Sequence, residues 1–303
     1  MGSLATSARR TGTEPPGAFV TAAGVRLHYM RAGEGRPLVY IHGAKGSVYD
    51  FTLSVGSRLA ERFTAVAIDR PGSGFSARPL NGENSPQAQA AVLRAAAAEL
   101  GLERPILLGH SFGAAVALAW ALAAPDDVAA VVTLGGYVLP IGGPPAWVVA
   151  LLRSPAALRA VGAIGRSRAG RPLVRGAVDR AFSPGSPPPD YLRIAPALAL
   201  QTANLIGDGA DRKAAEEGLA ALRPLYPGLL VPLVILVGAG DRMVPPAVSE
   251  RLHALVPASD LVRVPGAGHM PQFTAPDAVV AAVDRAAALA GAAPAFASPG
   301  ALG

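Results

Sequence analysis

The chain has 303 residues, 51% of them hydrophobic and 16% charged, with no cysteine. Such a chain can bury the core of one large or two modest domains, which excludes disorder, a disulfide- or zinc-stapled scaffold and thiol chemistry. Its formal net charge of +6 comes from scattered arginines, with only Lys45 and Lys213 as lysines; no clustered basic face of the kind nucleic acid requires is evident.

Residues 1–17 are polar at the start and lack an apolar segment, which predicts a flexible tail and not a signal peptide. Phe19-Val20 and Val25 to Met30, joined through Ala23-Gly24, predict an opening hairpin. Short apolar, β-branched runs follow at Leu38 to Ile41, Ala65 to Ile68, Ile106 to Leu108 and Val128 to Leu134. Two more come late, at Pro232 to Val237 and Leu261 to Val264. Consecutive apolar residues without alternation are what buried parallel strands require. Helical segments are predicted at Ser85 to Leu100, Phe112 to Ala124, Pro246 to Val256 and Pro276 to Ala290.

This alternation predicts an α/β fold: a mostly parallel central sheet flanked by helices. One region departs from it. From Pro140 to Pro227 no strand is predicted, only helical pieces such as Ala146 to Leu152, Ala157 to Ile164 and Arg212 to Leu222, divided by Pro/Gly clusters. The reading is a helical cap at 140–227 inserted into a core of 18–139 and 228–291, with a flexible tail at 292–303. Neither apolar stretch suits a membrane. Phe112 to Ala124 is too short, and Ala129 to Leu152 is interrupted by Gly135-Gly136, Pro140 and Gly142 to Pro145. A cytoplasmic protein without stable membrane insertion is expected.

The strongest chemical signal is Gly109-His110-Ser111-Phe112-Gly113, between a predicted strand and a predicted helix. A sharp strand-to-helix turn holds a serine in a strained conformation, and glycines two before and two after remove Cβ clashes. A serine needs a base, and the base an orienting carboxylate. His269, in the loop after Leu261 to Val264, is the best-placed histidine; His28 and His253 lie inside elements and His110 belongs to the turn. Asp241, immediately after Pro232 to Val237, is the best-placed carboxylate. Asp260 precedes its strand, and Asp69 is expected to serve a turn held by its own hydrogen bonds. Oxyanion donors are expected from Phe112 N–H and from Ala44 N–H in the turn His42 to Ser47, which His42 shapes.

These residues resemble the α/β-hydrolase superfamily, in particular its cap-bearing serine hydrolases with an H-G turn, a D-R-P-G-x-G-x-S segment (Asp69 to Ser76) and a G-H-S-x-G elbow. The resemblance implies a serine hydrolase with no cofactor and no metal, and the apolar content of the cap points to a small, largely apolar carboxylic ester as substrate. It leaves open carbon–carbon cleavage of a diketone, a perhydrolase or haloperoxidase-like activity, or a small-molecule receptor on the same fold. Trp147, Phe182 and Tyr191 of the cap are candidate substrate contacts.

Overall fold

A computed structural model describes residues 15–79, 84–142 and 154–292. Eight strands form one sheet: β1 (Ala18–Ala22), β2 (Val25–Ala32), β3 (Arg36–Ile41), β4 (Phe63–Ile68), β5 (Ile106–His110), β6 (Ala130–Leu134), β7 (Leu233–Gly238) and β8 (Asp260–Val264). Their order is β1-β2-β4-β3-β5-β6-β7-β8, with β2 antiparallel to both neighbours and every later pairing parallel. The expected α/β architecture is therefore present. β8 differs from the buried-strand expectation: Val262 is 36% exposed because an edge strand has a neighbour on one side only.

The helices are α1 (Tyr49–Thr52), α2 (Gly56–Leu59), α3 (Pro86–Glu99), α4 (Phe112–Ala123), α5 (Pro155–Arg166), α6 (Arg171–Phe182), α7 (Pro189–Ala199), α8 (Thr202–Leu222), α9 (Pro246–Leu255), α10 (Pro271–Thr274) and α11 (Pro276–Ala292). They cover both faces, and strand alternation divides the core accordingly. Val39 and Ile41 of β3 join the apolar layer that includes Leu93 of α3 and Trp120 of α4. Leu38 and Tyr40 point the other way, into a layer with Phe51, Leu59 and Val283. Phe112 to Ala121 of α4 are all buried, and the many alanines there let neighbouring backbones approach closely.

Between β6 and β7 the described residues contain four helices and no strand. Helices α6 and α7 go beyond the pieces expected from sequence, and α8 starts ten residues before Arg212. Prolines cause the difference: Pro172 and Pro189 occupy first-turn positions, where the missing N–H costs nothing, so they open helices and do not break them. Ala146 to Leu152, with Trp147, lies outside the described residues.

Asp69 serves the expected turn and reaches beyond it. Its carboxylate accepts from His28 Nδ1 at 2.8 Å, Val48 N–H at 2.8 Å and Phe75 N–H at 3.0 Å, so it ties β2, the segment before α1 and its own turn together. All three donors lose their acceptor if the carboxylate is removed from this fully buried position. Asp69→Ala is expected to destabilise the fold by about 3–5 kcal/mol, measured by urea unfolding.

Candidate active site

Ser111 stands at the junction of β5 and α4 with φ 51° and ψ −120°, a conformation L residues rarely adopt. Hydrogen bonds fix it from both sides. Its N–H donates to Leu134 O at 2.9 Å, and its carbonyl accepts from Ala114 N–H at 3.1 Å and Tyr137 N–H at 3.0 Å. The flanking glycines are sterically required. A Cβ at Gly109 would lie 2.6 Å from Ala114 Cα, and one at Gly113 would lie 2.1 Å from Ile41 O.

His269 and Asp241 meet behind this turn. His269 Nδ1–H donates to Asp241 Oδ2 at 2.8 Å, which leaves Nε2 with its lone pair. The other carboxylate oxygen accepts Met243 N–H at 2.8 Å and Val244 N–H at 3.0 Å, so the loop after β7 orients the carboxylate that in turn orients the imidazole. His110 Nε2–H donates to the His269 carbonyl at 2.8 Å and anchors the backbone of the His269 loop to the strand-to-helix turn. No hydrogen bond joins Ser111 Oγ to the imidazole, although both border one cavity of about 470 Å³.

Ala44 and Phe112 also border that cavity. Phe112 is the first residue of α4, where no intrahelical acceptor exists for its N–H. Among the described residues, Ala44 N–H has no acceptor either. The Ala44 turn is held from below by Arg70, whose guanidinium is fully buried. Arg70 donates to His42 O at 2.8 Å and Gly43 O at 3.0 Å, lies 4.9 Å from the Phe112 ring centre, and pairs with Asp211 of α8 at 2.8 Å. His42 shapes the turn as expected: Nδ1–H donates to Gly43 O at 2.8 Å, and Nε2 accepts Arg70 N–H at 2.9 Å.

Phe182 and Tyr191 line the cavity and also pack with Phe273 in an aromatic cluster, ring centres 5.0–5.2 Å apart. The remaining candidates fall elsewhere. His28 pairs with Asp69, His253 with Ser259 at 2.9 Å, and Asp260 with Arg285 at 2.7 Å. Sequence reasoning missed the polar lining contributed by Asp50, Tyr137, Asp211 and Glu216. Only a charged residue set in the apolar run Val48 to Leu53 marked Asp50. Among the described residues no cluster of His, Asp or Glu suits a metal ion, and no helix is long and apolar enough to cross a membrane.

Comparison with known proteins extends this picture. Residues 36–276 match a family model described as alpha/beta hydrolase fold. An uncharacterized protein of Mycobacterium tuberculosis is 30% identical over 88% of this chain and 80% of its own length. The crystal structure of an alpha/beta hydrolase fold protein from Burkholderia ambifaria superposes with a TM-score of 0.73 and 26% identity, covering 88% of this chain and 96% of that one. A thermophilic esterase from Thermogutta terrifontis gives a TM-score of 0.66 at 22% identity, covering 90% and 98%, a likeness of fold.

Two outcomes follow from this geometry. Gly135 has φ +49°, and a Cβ there would lie 3.0 Å from Asp241 Oδ2 and 3.3 Å from His269 Nδ1. Gly135→Ala is therefore expected to cost about 1–2 kcal/mol in backbone strain and to abolish the deshielded Nδ1 proton resonance of His269 in NMR spectra. Burial, assisted by His269, pushes His110 down to about 3. The unfolded chain then binds a proton at this ring below about pH 6.5 that the folded chain refuses, so the His110 contribution to stability is lost as pH falls from 6.5 toward 3. Replacing it by Gln should flatten the pH dependence of urea-unfolding free energy in that window by about 1.4 kcal/mol per pH unit.

Proposed function

The chain belongs to the alpha/beta hydrolase fold family, and from that premise we propose that it is a serine hydrolase of small, largely apolar carboxylic esters, acting through an acyl-enzyme. The observation that carries the reading is the 2.8 Å Asp241–His269 bond beside a serine held at φ 51°, with both Ser111 and His269 on one cavity.

In this mechanism His269 Nε2 takes the Ser111 Oγ proton as the oxygen attacks the ester carbonyl carbon. The carbonyl oxygen becomes an oxyanion that accepts hydrogen bonds from Ala44 N–H and Phe112 N–H. Collapse breaks the bond to the alcohol oxygen, which leaves with the proton from His269. Water enters, gives a proton to His269 and attacks the acyl carbon; the proton then returns to Ser111 Oγ as the acid departs. Asp241 holds the imidazole tautomer and stabilises its protonated form. The gap between Ser111 Oγ and the imidazole closes by serine rotation when substrate fills the cavity, since such bonds are commonly loose before substrate arrives.

Residues 140–227 act as the cap, and Phe182 and Tyr191 present an apolar wall to the substrate. Likeness of fold to an esterase agrees with this substrate class and does not carry it.

A fluorophosphonate probe is expected to label the native protein and not Ser111→Ala; equal labelling of both would remove Ser111 from the mechanism. Asp241→Asn should reduce kcat by about ten-thousand-fold on a p-nitrophenyl ester, because the wrong imidazole tautomer faces the serine. A panel of esters of graded chain length beside diketones checks the bond type: faster turnover of a diketone would replace the ester assignment.

A further inference from the structure

Five aspartates are buried among the described residues, and they differ in how their carboxylates are satisfied. Asp69 accepts three hydrogen bonds, from His28, Val48 and Phe75. Asp241 accepts three, from His269, Met243 and Val244. Asp211 accepts from Arg70, Asn84 and Gln89. Asp208 is paired with Arg212 through one oxygen only, its other oxygen having no partner, and it does not border the cavity.

Asp50 alone of the five both borders the cavity and has a single side-chain donor. It is 2% exposed, yet its one side-chain donor is Tyr191 OH at 3.2 Å, long for a bond between two oxygens. A carboxylate can accept about four hydrogen bonds, and buried acceptors are normally filled. Asp50 borders the same cavity as Ser111, His269 and Ala44. Its second oxygen is given room by the oxyanion turn itself: a Cβ on Gly46 would lie 2.2 Å from Asp50 Oδ2. Around the pair the wall is apolar, with Phe182, Ala195 and Met270 packed beside Tyr191 and Leu53 against them. Burial pushes the carboxyl up to about 7, with the Tyr191 hydroxyl opposing, the Asp69 charge assisting, and a Ser47 backbone hydrogen bond and the Arg70 charge opposing. In either protonation state an oxygen remains able to accept.

We propose that Asp50, with Tyr191 beside it, is a substrate subsite that accepts a hydrogen bond from an O–H or N–H group carried by the ester, within an otherwise apolar part of the wall. This deepens the ester-hydrolase reading and rests on it for the substrate class. A polar subsite of this kind discriminates strongly, because an analogue lacking the donor leaves a buried acceptor unfilled.

The test is calorimetric, on Ser111→Ala, so that binding is measured without turnover. Methyl hexanoate is compared with methyl 6-hydroxyhexanoate and methyl 6-aminohexanoate. The donor-bearing esters are expected to bind about tenfold or more tightly than the alkyl ester. Adding Asp50→Leu should bring that ratio to one or below. Asp50→Asn keeps an acceptor oxygen without the charge, so it should retain the hydroxyl preference and lose the ammonium preference; this also serves if the Leu variant does not fold. Tighter binding of the alkyl ester to Ser111→Ala, or ratios unchanged by both Asp50 variants, would overturn the subsite. Failure of the native protein to react with fluorophosphonate would instead overturn the ester reading, while leaving the calorimetric preference interpretable.

Discussion

The rest of the molecule depends on one constraint, the backbone of Ser111. A non-glycine residue at φ 51° is tolerated only where its surroundings over-determine it. Here three backbone hydrogen bonds fix the serine peptide, Gly109 lets the first turn of α4 fold back over β5, and Gly113 lets α4 approach β3 so closely that a Cβ would lie 2.1 Å from Ile41 O. That approach brings the first turn of α4 against the Gly43 turn, because both follow adjacent parallel strands, β5 and β3. The same arrangement leaves Phe112 and Ala44 both bordering the cavity. A local strain is therefore what aligns the chemistry of two loops far apart in sequence.

The helical insertion is joined to this centre by buried polar links as well as by apolar packing. Arg70 spans from the carbonyls of the Gly43 turn to Asp211 on α8, where Asn84 and Gln89 complete the carboxylate's coordination. Glycines permit the close contact: a Cβ on Gly207 of α8 would lie 2.0 Å from Gly72 O. Breaking one partner of such a buried pair is costly, so α8 is a fixed wall of the cavity.

Much of the fold was legible because parallel strands covered on both faces must be apolar at successive residues, as Leu38 to Ile41 and Leu233 to Val237 are. The edge strand β8 was legible in position and not in burial. Helices α6 and α7 were obscured because proline marks both loops and helix starts, and local sequence does not separate the two. Asp69 was read too locally: its partners His28 and Val48 lie 41 and 21 residues away, and only strand pairing brings them near. At the candidate site, Ser111, Asp241 and His269 were legible because each follows a strand ending at one edge of the sheet. The cavity's polar lining was not, since Asp50 acquires its character from Tyr191, 141 residues distant.

The loop that carries His269 has a neighbour whose position matters for traffic. A Cβ on Gly268 would lie 1.9 Å from the carbonyl oxygen of Ser183, in the linker between α6 and α7. The linker thus rests directly on the backbone of the imidazole's own loop. Under the proposed mechanism, lifting that linker would disturb the loop that positions His269, coupling entry on that side to a momentary loss of reactivity. Ligand exchange that spares the proton-transfer geometry would then run along another part of the cavity lining, such as Ile141 and Val161, which stand partly in solvent.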